Sequence, residues 1–382
     1  MFNKPIRLGM VGGGQGAFIG AIHRMAARLT GRYELLAGAL SSDPERARAS
    51  GAELGLAPER VYASYADMAA QERARSDGIE AVVIVTPNHL HYPVARAFLA
   101  AGIHVICDKP LTSTLQDARA LEELVRASGR LLFVTYTYAA YPMVYQAREL
   151  VRSGALGGIR VVQVEYAQGW LATPVEHHGS KQASWRTDPE LSGRAGCLAD
   201  IGTHAHHLAG FVTGLKVERL SADLAAFVPG RTVDDNAQVL LRFQGGARGA
   251  LWASQVAAGE DNALRLRVYG ESGSIAWEQE HPEELRHAPL GAPPRILRRG
   301  GPDTVPGALG VTRLPVGHPE GTLEGFGQLY EEIAGAIVAA RRGSPMPATR
   351  LATIEDGLAG MVFIDACLRS SAEDGAWVRL EG

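Results

Sequence analysis

Ile6-Arg7-Leu8-Gly9-Met10-Val11-Gly12-Gly13-Gly14-Gln15-Gly16-Ala17 opens the regular part of the chain and decides how the rest is read. An apolar run ends in a glycine cluster, and Ile19, Ile22, His23, Met25, Ala26 and Leu29 then mark one stripe of a helix. Read as Gly-x-Gly-x-x-Ala, the turn sits after a strand and opens a helix, the context a dinucleotide fingerprint requires. Gly12 permits the tight turn, Gly14 lets backbone approach a pyrophosphate, and Ala17 allows the helix to lie close to the strand. The helix N-terminus would hold the phosphates with its unpaired N–H groups.

The same rhythm continues outward from this stretch. Residues 33–40 read as a strand, and Asp43-Pro44-Glu45 opens a helix with a cap and a proline at its first position. A short strand at Val61, the continuous apolar run 79–85, and strands at 103–107 and 131–135 follow, with helices between them. Six strands with crossover helices predict a doubly wound parallel sheet of the Rossmann type over residues 1–135.

Past residue 135 the pattern changes. Residues 159–166, 217–225, 235–243, 247–255 and 263–270 include alternating apolar and polar runs, as in a large, mostly antiparallel open sheet with one face free for a partner. Residues 281–314, rich in Pro, Gly and Arg, read as a long surface excursion, and 323–342 and 354–370 as closing helices. The fold class expected is therefore α/β, with a Rossmann domain over 1–135 and an α+β domain over 136–382.

Composition narrows the functional classes. A chain of 382 residues is long enough for two domains, and 46% apolar with 21% charged residues is ordinary for a globular protein. A formal net charge of −3 supplies no global attraction to nucleic acid or to an anionic membrane. Three cysteines, Cys107, Cys197 and Cys367, lie far apart, which argues against a zinc ribbon or a disulfide framework and fits a reducing compartment. With no N-terminal apolar run before a cleavage site and no stretch of membrane-spanning length, a cytoplasmic protein is expected.

Three further segments carry polar groups to positions where an open sheet binds ligands. After the second strand, where a carboxylate commonly holds the ribose, stand Ser41 and Ser42, with Arg46 one helical turn on, so NADP is as admissible as NAD; Ser41 and Asp43 serve equally well as helix caps. In Thr86-Pro87-Asn88-His89-Leu90-His91, proline turns the chain outward, and Thr86 or Asn88 is placed to meet the nicotinamide ribose, or Asn88 caps a helix. Ile106-Cys107-Asp108-Lys109-Pro110 then puts a lysine at a strand's carboxyl end, within reach of a cofactor's reacting carbon.

In Asp200-Ile201-Gly202-Thr203-His204, a carboxylate and an imidazole lie four positions apart and share a face if the segment is helical. Oxidising a secondary alcohol needs a hydride acceptor, a base for the proton and a cation near the developing alkoxide. Lys109 suits the cation, His204 the base, and Asp200 either a neighbouring substrate hydroxyl or the imidazole itself. Lys109 alone reads equally as a solvated strand end, Asp200 and His204 as a surface pair, and Asp200, His204 and His207 as a metal face lacking further ligands. Lys181, Trp185 and Arg186, just before this segment, could close over a polyol, with Trp185 offering an apolar face to a sugar ring or packing in the core. Tyr136, Tyr138 and Tyr141 read as cleft residues or as a hinge, and His318 to Gly321 as a site loop or a helix cap.

The glycine turn, the Thr-Pro-Asn-x-x-His segment, Asp108-Lys109-Pro110 and Asp200-x-x-x-His204 together resemble, over essentially the whole chain, the family of glucose-fructose oxidoreductase, inositol dehydrogenase and the rhizopine catabolism proteins. The resemblance implies NAD(P)-dependent oxidation or reduction of sugars and cyclitols, a homo-oligomer (dimer or tetramer) assembled through the C-terminal sheet, and Lys109, Asp200 and His204 as catalytic residues. Taken with the readings above, it leaves Gly12, Gly14, Gln15, Gly16, Ala17, Ser41, Ser42, Arg46, Thr86, Pro87, Asn88, His91, Asp108 and Lys109 as the expected cofactor side, and Tyr138, Lys181, Trp185, Arg186 and His207 as the expected substrate side, with no metal. Asp108 departs from the family's glutamate by one methylene, and Ser41 replaces its common acidic residue. A few relatives retain the nicotinamide for hydrolysis or elimination through transient oxidation, and a non-catalytic nucleotide sensor is a further rival.

Overall fold

Buried side chains along β1 (Ile6–Gly12) make it an inner strand of a parallel sheet, in a computed structural model that describes residues 4–346 and 350–381. Its companions are β2 (Tyr33–Ala39), β3 (Ala81–Val85), β4 (His104–Cys107) and β5 (Leu132–Val134), in the order β2-β1-β3-β4-β5. Every residue of β3 and β4 is buried, because helices cover both faces of such a sheet. Chain order reverses between β1 and β3, which sets a binding crevice at their carboxyl ends. Gly12, Thr86 and Lys109 all stand along that edge, just at or beyond the ends of β1, β3 and β4.

The sheet has five strands, one fewer than the six the sequence suggests. Val61 makes only an isolated parallel bridge to Gly38. A 3₁₀ turn, Pro58–Arg60, ends immediately before it, and Ser64 already caps the helix Tyr65–Ala74 by accepting from Asp67 N–H, so no room is left for a strand.

The second sheet contains β6 (Ile159–Ala167), β7 (Val217–Ala225), β8 (Asn236–Phe243), β9 (Arg248–Ser254), β10 (Ala263–Gly270), β11 (Gly273–Glu278), β12 (Glu284–Pro289), β13 (Arg295–Arg298) and β14 (Val378–Arg379). They run in the order β13-β12-β11-β10-β6-β9-β8-β7-β14, antiparallel throughout except for the β6–β9 pair. Val162, Val164, Leu251, Ala253, Leu266 and Val268 form the inner face, on which the helix Thr203–Thr213 packs across β6, β9 and β10. The excursion expected over 281–314 is corrected here: β12 and β13 extend the sheet as a hairpin. Leu285, His287 and Leu297 point inward between exposed arginines, a period of two that the Pro, Gly and Arg content conceals.

Two compact units result. One comprises the chain up to Thr135 together with Phe326–Leu358, the other Tyr136–Gly325 together with the chain from Ala359.

Candidate active site

In the first unit the glycine turn takes backbone that side chains rarely adopt, with φ of 80° at Gly12, 72° at Gly13 and 76° at Gly16. Gly14 is required for another reason: a Cβ there would lie 2.7 Å from both the Leu40 carbonyl oxygen and Ser50 Oγ. Ser50 locks the turn, accepting from Gln15 N–H at 3.0 Å and donating to the Arg46 carbonyl at 2.7 Å. The close helix contact expected at Ala17 is made by Gly20 instead, whose Cβ would fall 2.5 Å from Gly13 Cα. Ala17 is extended, at φ −100° and ψ 116°, and stands at the N-cap outside the helix Phe18–Thr30, which puts it a turn too early.

Three observations fit a bound dinucleotide at this turn. The helix Phe18–Thr30 has no capping side chain and no acidic residue in its first turn, so its N–H groups remain for an anion. Beside the turn, Thr86 Oγ1 is buried with no hydrogen-bond partner among the described residues. At position 41 no carboxylate is present: Ser41 accepts from Asp43 N–H, while the Asp43 carboxylate is committed to capping the next helix through Arg46 N–H. Ser42 and the Arg46 side chain are exposed. A Gly14→Val substitution is expected to raise the dissociation constant for NADH by about a hundredfold, because a branched side chain must displace either the Leu40 carbonyl or the Ser50 lock. Titration of nicotinamide fluorescence reads this directly, and unchanged affinity would remove the turn from the binding site.

At the end of β4, the Asp108 carboxylate accepts from Thr135 Oγ1 at 2.7 Å and from Lys109 N–H at 3.0 Å, which fixes the backbone just before the half-buried lysine. The Lys109–Pro110 peptide is cis. Asn88 is buried at the start of a short 3₁₀ turn, and Pro87 precedes it. His91 is buried between two backbone carbonyls, Nδ1 at 2.8 Å from Pro110 O and Nε2 at 3.0 Å from Thr86 O. Both ring nitrogens thus face protein carbonyls, one of which takes the ring's N–H, so the side chain is turned to the protein and holds loops together.

In the second unit, Asp200 and His204 lie across a junction of helix types. Leu198–Gly202 is a π-helical turn that runs into the α-helix Thr203–Thr213, so the pair does not have regular i,i+4 geometry. Asp234 anchors the start of this segment, accepting from Gly196 N–H at 2.6 Å and Leu198 N–H at 2.8 Å. The Asp200 carboxylate receives Arg186 Nε at 3.1 Å and Gln255 Nε2 at 2.8 Å. His204 is buried among aromatic rings, with centroids 4.8 Å from Tyr138, 5.7 Å from Tyr136 and 6.2 Å from Tyr166.

A chain of neutral polar groups surrounds this pair. Tyr138 and Tyr166 share a hydrogen bond at 2.5 Å, Tyr166 donates to Asn262 Oδ1 at 2.7 Å, and Gln168 Nε2 reaches the same oxygen at 2.8 Å. Burial pushes both phenols above their ordinary pKa, so they stay protonated and act as hydrogen-bonding groups. Arg186 is stacked on Trp185, 4.2 Å from the ring centre, and Lys181 is exposed in the first turn of the same short helix. His207 lies flat on Tyr136 at 4.2 Å and 8°, and burial pulls its pKa down to about 3, so it is a neutral packing residue. No group of three or more His, Cys, Asp and Glu side chains among the described residues is arranged to hold a metal ion.

Residues 6–136 match the family model described as an oxidoreductase family with an NAD-binding Rossmann fold, and residues 144–276 match the GFO/IDH/MocA C-terminal domain. An uncharacterised oxidoreductase of Bacillus subtilis is 36% identical over all of this chain and 98% of its own. The chain belongs to the Gfo/Idh/MocA oxidoreductase family. An inositol dehydrogenase homologue from Azotobacter vinelandii, solved with NAD+, has a TM-score of 0.96 at 39% identity, covering 99% of this chain and all of the other. An inositol dehydrogenase homologue from the same organism, solved with NADH and myo-inositol, has a TM-score of 0.90 at 38% identity, covering 98% of each chain. Levoglucosan dehydrogenase of Pseudarthrobacter phenanthrenivorans is 29% identical over 75% of this chain and 76% of its own.

This Gfo/Idh/MocA chain is therefore an NAD-binding oxidoreductase, with its NAD-binding Rossmann fold over residues 6–136. Within the second unit the structure gathers Asp200, His204, Tyr138 and Arg186, and sets Lys181 apart at an exposed helix start. Sequence reasoning missed Gly20, Ser50, Tyr166, Gln168, Gln255 and Asn262. Gly20 had a readable signal, a small residue one turn into the helix. The others had none: Ser50 reaches the glycine turn from a helix 35 residues on, and strand pairing gathers the rest from far apart in the chain.

Proposed function

We propose that the protein oxidises a secondary hydroxyl of a neutral cyclitol, sugar or sugar derivative, reversibly, with a nicotinamide dinucleotide. The observation that carries this reading is the buried His204 imidazole beside a field of neutral donors and acceptors: Tyr138, Tyr166, Gln168, Gln255 and Asn262. Hydroxyl and amide groups of this kind offer both donors and acceptors, which match the hydroxyls of a polyol. The cation in the group, Arg186, is already paired with Asp200, which disfavours a phosphorylated substrate.

NAD, when bound, supplies the hydride acceptor. His204 takes the hydroxyl proton, Lys109 steadies the developing alkoxide, and Asp200, held by Arg186 and Gln255, accepts from a neighbouring hydroxyl. The test is a screen of cyclitols, neutral sugars and their phosphates with each oxidised dinucleotide, followed at the absorbance of reduced nicotinamide. Net reduction with a neutral polyol is expected. Turnover of a glycoside with no net reduction would replace this reading by a cofactor-retaining reaction.

Because no carboxylate stands at position 41, NADP is expected to serve as well as NAD. Arg46→Ala should then raise KM for NADP by about tenfold, the loss of one exposed phosphate contact, and leave KM for NAD unchanged. We further propose that the outer face of the second sheet, where Leu240 and Tyr269 are exposed, mediates a homodimer or homotetramer. Light scattering of the purified protein checks it, and a monomer at micromolar concentration contradicts it.

A further inference from the structure

We infer that His91 is a positioning residue for Lys109, a ring that ties the lysine's turn to the loop after β3. This inference rests on the role proposed above for Lys109. Its Nδ1 lies 2.8 Å from the carbonyl oxygen of Pro110, the residue after Lys109, and its Nε2 lies 3.0 Å from that of Thr86. Thr86 in turn borders the glycine turn, since a Cβ on Gly12 would come within 3.1 Å of Thr86 Cγ2. The imidazole thus links the turn that carries the lysine to the one that flanks the dinucleotide. On the other side of Lys109, Asp108 is fixed by Thr135 and by the lysine's own N–H. Both neighbours of the lysine are therefore held, one through a carboxylate and one through an imidazole.

The chemistry of the ring suits a clamp and not a base. His91 is fully buried at the start of the helix His91–Ala100, and burial draws its pKa below the ordinary range. A neutral imidazole has one N–H, which can bond only one of the two carbonyls at a time, so the ring, wedged between them, holds the lysine's turn against the loop after β3 by one hydrogen bond and by packing. Apolar replacement would strand a buried carbonyl and free the turn. Displacement of a catalytic group by about an ångström costs on the order of a hundredfold in rate.

The experiment compares His91→Leu and His91→Gln with the unsubstituted protein. The chain has only four lysines, Lys4, Lys109, Lys181 and Lys216, so reductive methylation with carbon-13 gives a spectrum simple enough to follow Lys109, assigned with Lys109→Arg. His91→Leu is expected to move or broaden the Lys109 resonance alone and to lower kcat by about thirtyfold, with KM and the NADH dissociation constant within about twofold. His91→Gln, which keeps one donor, should recover part of the rate, and it keeps the test open if the leucine variant fails to fold. An unmoved Lys109 resonance in a folded variant overturns the inference, as does a loss of NADH affinity that matches the loss of rate. Full activity in Lys109→Ala would instead defeat the proposed role of the lysine, and the resonance would still report whether His91 places it.

Discussion

Lys109→Ala is expected to lower kcat by at least about a thousandfold while NADH binds as tightly as before. The lysine stands at the carboxyl end of β4, where an open parallel sheet presents its ligand contacts, and Asp108 pins its backbone. Removing a donor aimed at developing negative charge costs about 10² to 10³ in rate, and the loss is larger where the donor carries a full charge. The glycine turn is shaped by Gly14, Gly20 and the Ser50 lock, so the dinucleotide should stay bound. Lys109→Arg should restore little, since a planar guanidinium cannot replace a compact ammonium at one oxygen. Fluorescence titration of NADH and steady-state rates separate the two effects. If affinity and rate fell together, the lysine would be a binding residue.

His204→Ala is expected to lower kcat by about 10² to 10⁴, the range for removing a general base, with a smaller change in KM. The ring is buried among Tyr136, Tyr138 and Tyr166, so its removal leaves a hole bounded by aromatic faces. Added imidazole should enter that hole and recover part of the rate. With proton removal slowed, the deuterium isotope effect from substrate labelled at the oxidised carbon should be no smaller than in the unsubstituted protein. Normal turnover accompanied by a lowered melting temperature would show that His204 is a packing residue, as His207, stacked on Tyr136, is.

Much of the first unit was legible because its signals are local. Glycine at 12, 13 and 16 answers to backbone angles, and the uninterrupted apolar residues of β3 answer to burial on both faces. Val61 was misleading because a single β-branched residue between two turns looks like the middle of a strand. His91 was visible as part of a motif, but its role was not, since only the folded chain shows both ring nitrogens against carbonyls. In the second unit, Asp200 and His204 could be picked out by spacing, while the π-turn between them could not, as nothing in Leu198 to Gly202 distinguishes it from an α-turn. The hydrogen-bond field around them comes from the turn carrying Tyr138, from β6, from Asn262 just before β10 and from the segments that follow β6 and β9, and most of it depends on sheet register that no local pattern encodes.

In the function proposed above, Lys109 and His204 serve one reaction on one substrate hydroxyl. A double-mutant cycle on kcat/KM, using Lys109→Ala, His204→Ala and the pair together, tests it most directly. Groups that act as a unit are strongly non-additive, so the double variant should be little slower than the slower single one. Losses that multiply would show two groups working independently and would contradict the claim.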